Sequence, residues 1–270
     1  MIKRNFAMAA RLIALGAFGL ILSNSGLAQA TAPQTAASAH TKDATAAPAT
    51  ALPTVDQILN HYIEATGGRD AWKKLTTRVS KGTVDIPAMN MSGTIEIHEK
   101  APNESLATVT IGGNSFVQGY DGKTAWSNDP QNGLRDLSGG ELDEAQRDAD
   151  FYHALDLKKL YKSLTVKRTE KIGDSDAYVV EAATGEEGDP DILYFDALSG
   201  LLLRITGQRH TAEGAAPSQI DLSDYREVDG VKVPFSMHQS VGDMAFTISF
   251  SDVQDNVELD DAQFAKPAAQ

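Results

Sequence analysis

The stretch DYREVDGVKVPFSMHQS, residues 224–240, limits what this chain can fold into more than any other. Asp229-Gly230 is a two-residue connection of the kind that takes positive φ and so matches the twist of two antiparallel strands. Past it, Val231, Val233, Phe235 and Met237 fall on one face, and Lys232, Pro234, Ser236 and His238 on the other. The apolar face must be covered, either by the protein's own core or by a ligand. The same period of two recurs along the chain. Four strand candidates, TRVSKGTVDIP, SGTIEIHEK, ESLATVTIGG and SFVQGYDGKTAWSND, precede a helical insertion. Seven more follow it, with turn signals at Gly173-Asp174, Ser199-Gly200 and Asp229-Gly230. Eleven strand candidates on short turns predict a large antiparallel sheet in an α+β arrangement, wide enough to curl or close. Pro234 inside its strand predicts an edge or a bulge there, and hence incomplete closure.

Helical spacing is confined to two places. Thr54 and Gln57 make a capping-box pattern ahead of Val55, Ile58, Leu59, Tyr62 and Ile63, and Gly67-Gly68 stops that helix. A short turn from Asp70 to Leu75 carries Trp72. Residues 139–164 return to helical character, with an apolar stripe of Leu142, Ala145, Ala149, Tyr152 and Leu155. Asp156 is expected to cap a second helix bearing Leu157, Leu160, Tyr161 and Leu164. The tail carries a last apolar pair, Leu259 and Phe264.

Residues 1–30 have the layout of a secretory signal peptide: Lys3, Arg4 and Arg11, an apolar run from Leu12 to Leu22, then Ala28-Gln29-Ala30. The run is too short to span a bilayer. Cleavage after Ala30 and a periplasmic location are expected. Residues 31–53 are Ala, Thr and Pro with almost no large apolar side chain, which predicts a flexible leader. Residues 54–270 suffice for one domain with a full core. Removing the signal takes away three positive charges and no negative ones, moving the formal net charge from −13 to −16. Such a surface repels phosphate backbones, which argues against a nucleic-acid partner. The chain has no cysteine, so thioether lipidation, disulfides, zinc-thiolate sites and a cysteine nucleophile are excluded.

Catalytic patterns are lacking. The six histidines (His40, His61, His98, His153, His210, His238) show no metal-ligand interval, and no G-x-S-x-G elbow, phosphate loop or dinucleotide fingerprint occurs. The loop GEEGDPD brings Glu186, Glu187, Asp189 and Asp191 together as hard oxygen ligands, without the spacing of a calcium loop. The reading is of a non-enzyme, with no cofactor and no resident metal.

Three segments, YFDALSGLLLRI (194–205), DYREVDGVKVPF (224–235) and ELDDAQFAKPA (258–268), resemble lipoprotein-sorting proteins of the LolA-like superfamily. The opening LPTVDQILNHYIEATGGRDAWKKL is similar to the start of uncharacterised members of that group. The resemblance covers roughly residues 52–268. It implies an unclosed antiparallel β-barrel with helices covering its concave side, around a cavity that in the carriers holds a lipoprotein's acyl chains between the inner and outer membranes. It also implies sorting partners at those membranes, and a monomer. Related proteins bind lipids, or sense lipoproteins and regulate a stress response, so an envelope-stress regulator or scaffold is the alternative reading. The chain departs from the sorting carriers in its longer leader and its longer, more charged insertion.

Large flexible and aromatic side chains are the expected wall of such a cavity, because thioethers and rings repack around variable alkyl chains. From the strands these are Met89, Met91, Phe116, Trp126, Phe235, Met237, Phe246, Ile248 and Phe250. Phe151 and Tyr152, with Leu155 and Leu160, are expected to cover them from the helices. The same pattern also fits a filled core.

Overall fold

The computed structural model describes residues 51–183, 189–211 and 214–268. Residues 1–50, on which the expected signal peptide and most of the expected leader fall, and Glu186 and Glu187 of the acidic loop lie outside the described residues.

Helix α1 (Val55–Ala65) opens the domain as its cap predicts. The Thr54 amide donates to Gln57 Oε1 at 2.8 Å, and the Gln57 amide to Thr54 Oγ1 at 3.2 Å. The helix buries Ile58, Leu59, Tyr62 and Ile63 on one stripe. Gly67 (φ 115°) and Gly68 (φ 83°) then turn the chain into the short helix α2 (Arg69–Trp72).

Strands β1 (Thr77–Ile86), β2 (Met91–Lys100), β3 (Glu104–Ile111), β4 (Asn114–Asp121), β5 (Ala125–Asp129) and β6 (Gly133–Asp136) follow as one antiparallel meander. After helices α3 (Gly140–Asp148) and α4 (His153–Leu160), a second meander runs through β7 (Ser163–Ile172), β8 (Ser175–Ala183), β9 (Asp191–Asp196), β10 (Leu202–Thr211), β11 (Gly214–Val228), β12 (Val231–Val241) and β13 (Met244–Asp255). The two meanders are joined where β1 pairs with β13. The result is one 13-stranded sheet with free edges at β6 and β7, an unclosed barrel. One apolar core spans it, from Val109 and Phe116 on the first meander to Val180 and Phe195 on the second. Leu59, Tyr62, Trp72 and Leu157 cover it from the helices, and Phe151 from the α3–α4 turn.

Three expectations change. The strand count is thirteen rather than eleven, because the Asp121-Gly122 turn divides the fourth candidate into β4 and β5, and because β6 is a four-residue strand with a single apolar side chain, too short for periodicity to mark. Asp156 is not a cap. Helix α4 begins at His153, and the turn before it is made by Asp150, whose Oδ1 accepts the Tyr152 amide at 2.9 Å. Asp156 lies inside the helix, bonded to Lys159. Tyr152 accordingly belongs to the α3–α4 junction, not to the stripe of α3.

The 224–240 hairpin forms as its sequence predicts. Asp229 (φ 46°) and Gly230 (φ 84°) make the turn, and Val231, Val233, Phe235 and Met237 are all buried. Pro234 stands where the sheet splits. β12 pairs with β13 only from Ser236 to Val241, whereas the Phe250–Asp255 end of β13 pairs with β1 alone. The stretch Val231–Phe235 therefore has no strand partner on its β13 side. A proline, having no amide hydrogen, suits that position.

Candidate functional site: a cavity under the helices

The α1–α2 turn docks against the hairpin at the split. The Lys232 amide donates to the Thr66 carbonyl at 2.9 Å. Gly67 fits because a Cβ there would lie 2.2 Å from the Gly230 carbonyl oxygen. The Trp72 indole N–H donates to Thr66 Oγ1 at 3.2 Å, which fixes the ring over the barrel interior.

Beneath this cover lies a cavity of ≈ 160 Å³. Apolar cavities of about 150 Å³ take one benzene-sized molecule. The sheet supplies Leu202, Ile205, Ile220, Leu222, Val233 and Met237 on one side, and Ile97, Phe250 and Val253 on the other. Tyr62, Trp72, Phe151 and Ala154 roof it. Lys232, Val233 and Pro234 on one lip and Phe250 and Val253 on the other lie on the two strands that part, so the cavity reaches the slit between β12 and β13.

One end of the cavity is polar. Glu99, Arg78 and Asp255 stand in register across β2, β1 and β13. Arg78 donates from Nε and its NH2 group to Asp255 at 2.7 and 3.0 Å, and its guanidinium lies 5.4 Å from the centre of the Trp72 ring. Glu99 is only 8% exposed and lines the cavity, and burial pushes its pKa up to about 7 against the lowering effect of Arg78. His153 on the roof is pushed down to about 4, again by burial. Asp148 and Asp150 also line the cavity, both raised by burial, Asp148 to about 8.

A buried ionic cluster anchors the cover. Arg209 on β10, with no exposed surface, pairs with Glu144 at 3.2 Å and Asp148 at 3.1 Å, both on α3. Glu144 Oε1 also accepts the His210 amide at 2.7 Å and lies 2.8 Å from His210 Nδ1. Asp191, expected in an acidic loop, begins β9 and is wholly buried, and that burial holds its carboxyl well above the usual range. Among the described residues no group of three or more His, Asp or Glu side chains could hold a metal ion.

Of the residues expected at a ligand site, Phe151, Met237 and Phe250 line the cavity. Tyr152 packs edge-on against Phe151 at 5.2 Å and donates its hydroxyl to the Leu75 carbonyl at 3.0 Å, tying the roof to the connection between α2 and β1. Phe235 is buried beneath the Arg226 guanidinium, 4.4 Å from its ring centre. Phe116 and Phe246 fill the core away from the cavity, and Met89 and Met91, partly buried, pack against that core. Trp126 sits under the C-terminal segment, donating from its indole nitrogen to the Phe264 carbonyl at 2.9 Å. Arg78, Glu99 and His153 escaped sequence reasoning. A signal existed for the two strand residues: each holds the same alternation phase as its strand's apolar residues, Val84 and Ile86 or Ile95 and Ile97.

No family model matches the sequence, and no curated protein matches it. Solved structures do match in fold. A domain designated an outer membrane lipoprotein-sorting protein from Vibrio parahaemolyticus superposes with a TM-score of 0.52 at 12% identity, covering 78% of this chain and 95% of that one. A DUF1329 family protein from Desulfovibrio piger gives 0.52 at 14% identity, over 78% and 97%. A LolA superfamily protein from Nitrosomonas europaea gives 0.52 at 15% identity, over 80% of this chain and 99% of that one. With its open 13-stranded sheet and helical cover, the chain has the LolA-like fold.

Proposed function

We propose that this protein is an exported, non-catalytic binding protein for acyl chains of lipids or lipoproteins, acting in the periplasm. The cavity carries the reading: an apolar space between a curled sheet and a helical roof, reaching the slit where β12 and β13 part. Burying an acyl chain contributes about 0.8 kcal/mol per CH₂ and needs no catalytic or ionic residue. The secretory layout of residues 1–30 supports export. The likeness in fold to a domain named for lipoprotein sorting supports the ligand class. Phe151, Met237 and Phe250 are the proposed chain contacts, with Tyr152 and Phe235 shaping the wall behind them. A cavity of ≈ 160 Å³ holds a short segment only. A long chain therefore runs out through the slit or lifts α4 from the sheet.

The test is a binding assay on protein purified without detergent. An environment-sensitive apolar dye binds and is displaced by long-chain lipids, and organic extraction followed by mass spectrometry finds near-stoichiometric lipid or lipopeptide. Failure of dye and lipids alike to bind overturns the reading.

A further inference from the structure

Among the carboxyls that line the cavity, one is engaged by no described residue through either oxygen, whereas Asp148 leaves only its Oδ1 unpaired. Asp255 is held by Arg78, Asp148 by Arg209, and Asp150 accepts the Tyr152 amide. Glu99 lines the same space, is more than nine-tenths buried, and its side-chain carboxyl accepts no hydrogen bond from any described residue. Its cross-strand neighbour Arg78 has turned its fork to Asp255. The row Glu99–Arg78–Asp255 therefore carries one more carboxyl than it has cations. Lys232, the other cation at the cavity, stands exposed on the outer lip. A buried carboxylate without a partner is costly, and its pKa of about 7 records that cost. A ligand that brought a cationic donor to Glu99 would remove it, whereas a phosphate or carboxylate head would add to it.

Resting on the acyl-binding reading above, we infer that the ligand is an amphiphile with a protonated amine head, seated against Glu99 with its alkyl chain along Met237, Phe250 and Phe151. The amine recognises Glu99 as a charge-assisted hydrogen-bond partner, and the apolar walls take the chain without regard to its identity.

Decylamine, decanol and decanoate, equal in chain length, are compared at pH 8 as competitors of the bound dye in the wild-type protein and in Glu99→Gln. At that pH an alkylamine is protonated. In the wild type, half-displacement by decylamine is expected at a concentration at least tenfold below that of decanol, with decanoate weakest. In Glu99→Gln, shown folded by circular dichroism, the amine-to-alcohol ratio is expected to fall to within twofold. Equal potency of the three in the wild type overturns the inference by itself, even if the variant fails to fold, and leaves the acyl-binding reading standing. An amine preference that survives Glu99→Gln also overturns it, by assigning the preference to the acidic surface. Displacement by none of the three overturns the acyl-binding reading instead.

Discussion

Arg78 grips Asp255 with two parallel hydrogen bonds across the β1–β13 junction, and the Asp255 side chain has no solvent exposure. Removing one partner of such a pair strands a buried charge. Arg78→Ala is expected to lower unfolding free energy in urea by about 3–5 kcal/mol, and Arg78→Met with Asp255→Leu to recover most of that. A single-variant loss under about 1 kcal/mol would contradict this account.

Gly67 and Gly68 share positive φ and differ in surroundings. A Cβ on Gly67 meets the Gly230 carbonyl oxygen at 2.2 Å, and a Cβ on Gly68 finds nothing nearer than the Glu64 side chain at 3.5 Å. Gly68→Ala is expected to cost about 1 kcal/mol through backbone strain. Gly67→Ala should cost more than about 2 kcal/mol, since the α1–α2 turn must also lift off the hairpin. Urea midpoints of the two variants check the order, and equal midpoints would refute the docking argument.

Two of the titrating groups that line the cavity, Glu99 and His153, give stability opposite slopes with pH. Glu99 has a pKa raised to about 7, so between about pH 4.5 and 7 the unfolded chain ionises first and this residue's contribution falls as pH rises. Glu99→Gln should thus gain on the wild type by roughly 2–3 kcal/mol between pH 5 and pH 8. His153, pushed down to about 4, stays neutral in the folded state while the unfolded side chain protonates, so its contribution is lost as pH falls from about 6.5 to 4. His153→Asn should gain on the wild type over that acid interval. Chemical denaturation at pH 4.5, 6 and 8 measures both, and parallel curves for wild type and variants would refute them.

Arg209 is the anchor of α3. Arg209→Ala leaves Glu144 and Asp148 buried without it, and a loss of about 3–5 kcal/mol is expected, or detachment of α3 at smaller cost. Hydrogen exchange separates these outcomes: detachment speeds exchange in residues 140–148 alone, whereas global loss raises it throughout β10 as well. Unchanged exchange and stability would show that the cluster does not hold the helix.

Much of the fold was legible because it is written in local chemistry. Thr54 with Gln57, Gly67-Gly68 and Asp229-Gly230 each specify their geometry within four residues, and the alternation from Val231 to Met237 needs no distant information. The helical insertion was misread at Asp156 because an acidic residue ahead of an apolar run looks the same whether it caps or merely faces water, and the junction is decided by how Phe151 and Tyr152 meet the roof. The cavity was legible only in kind. Met237 and Phe250 reach it while Phe246 fills core, although all three hold inward positions, because the parting of β12 from β13 places the space at one end of the strands. Arg78 and Glu99 hold inward positions by their alternation phase, but their charge reads as solvent-facing until the sheet sets them side by side.

The order of the strands has a consequence for how the chain is made. Every neighbouring pair in the sheet is a hairpin or a meander step except β1–β13, which joins residues such as Arg78 and Asp255, 177 positions apart. Synthesis runs from the amino end, so β1 has β2 on one side and an open edge on the other until the last strand is available. Contacts between distant segments form slowly, and an exposed strand edge invites foreign pairing meanwhile. A chain cut short before Met244 would leave two unmated edges, β1 and β12, in the middle of what should have been a continuous wall.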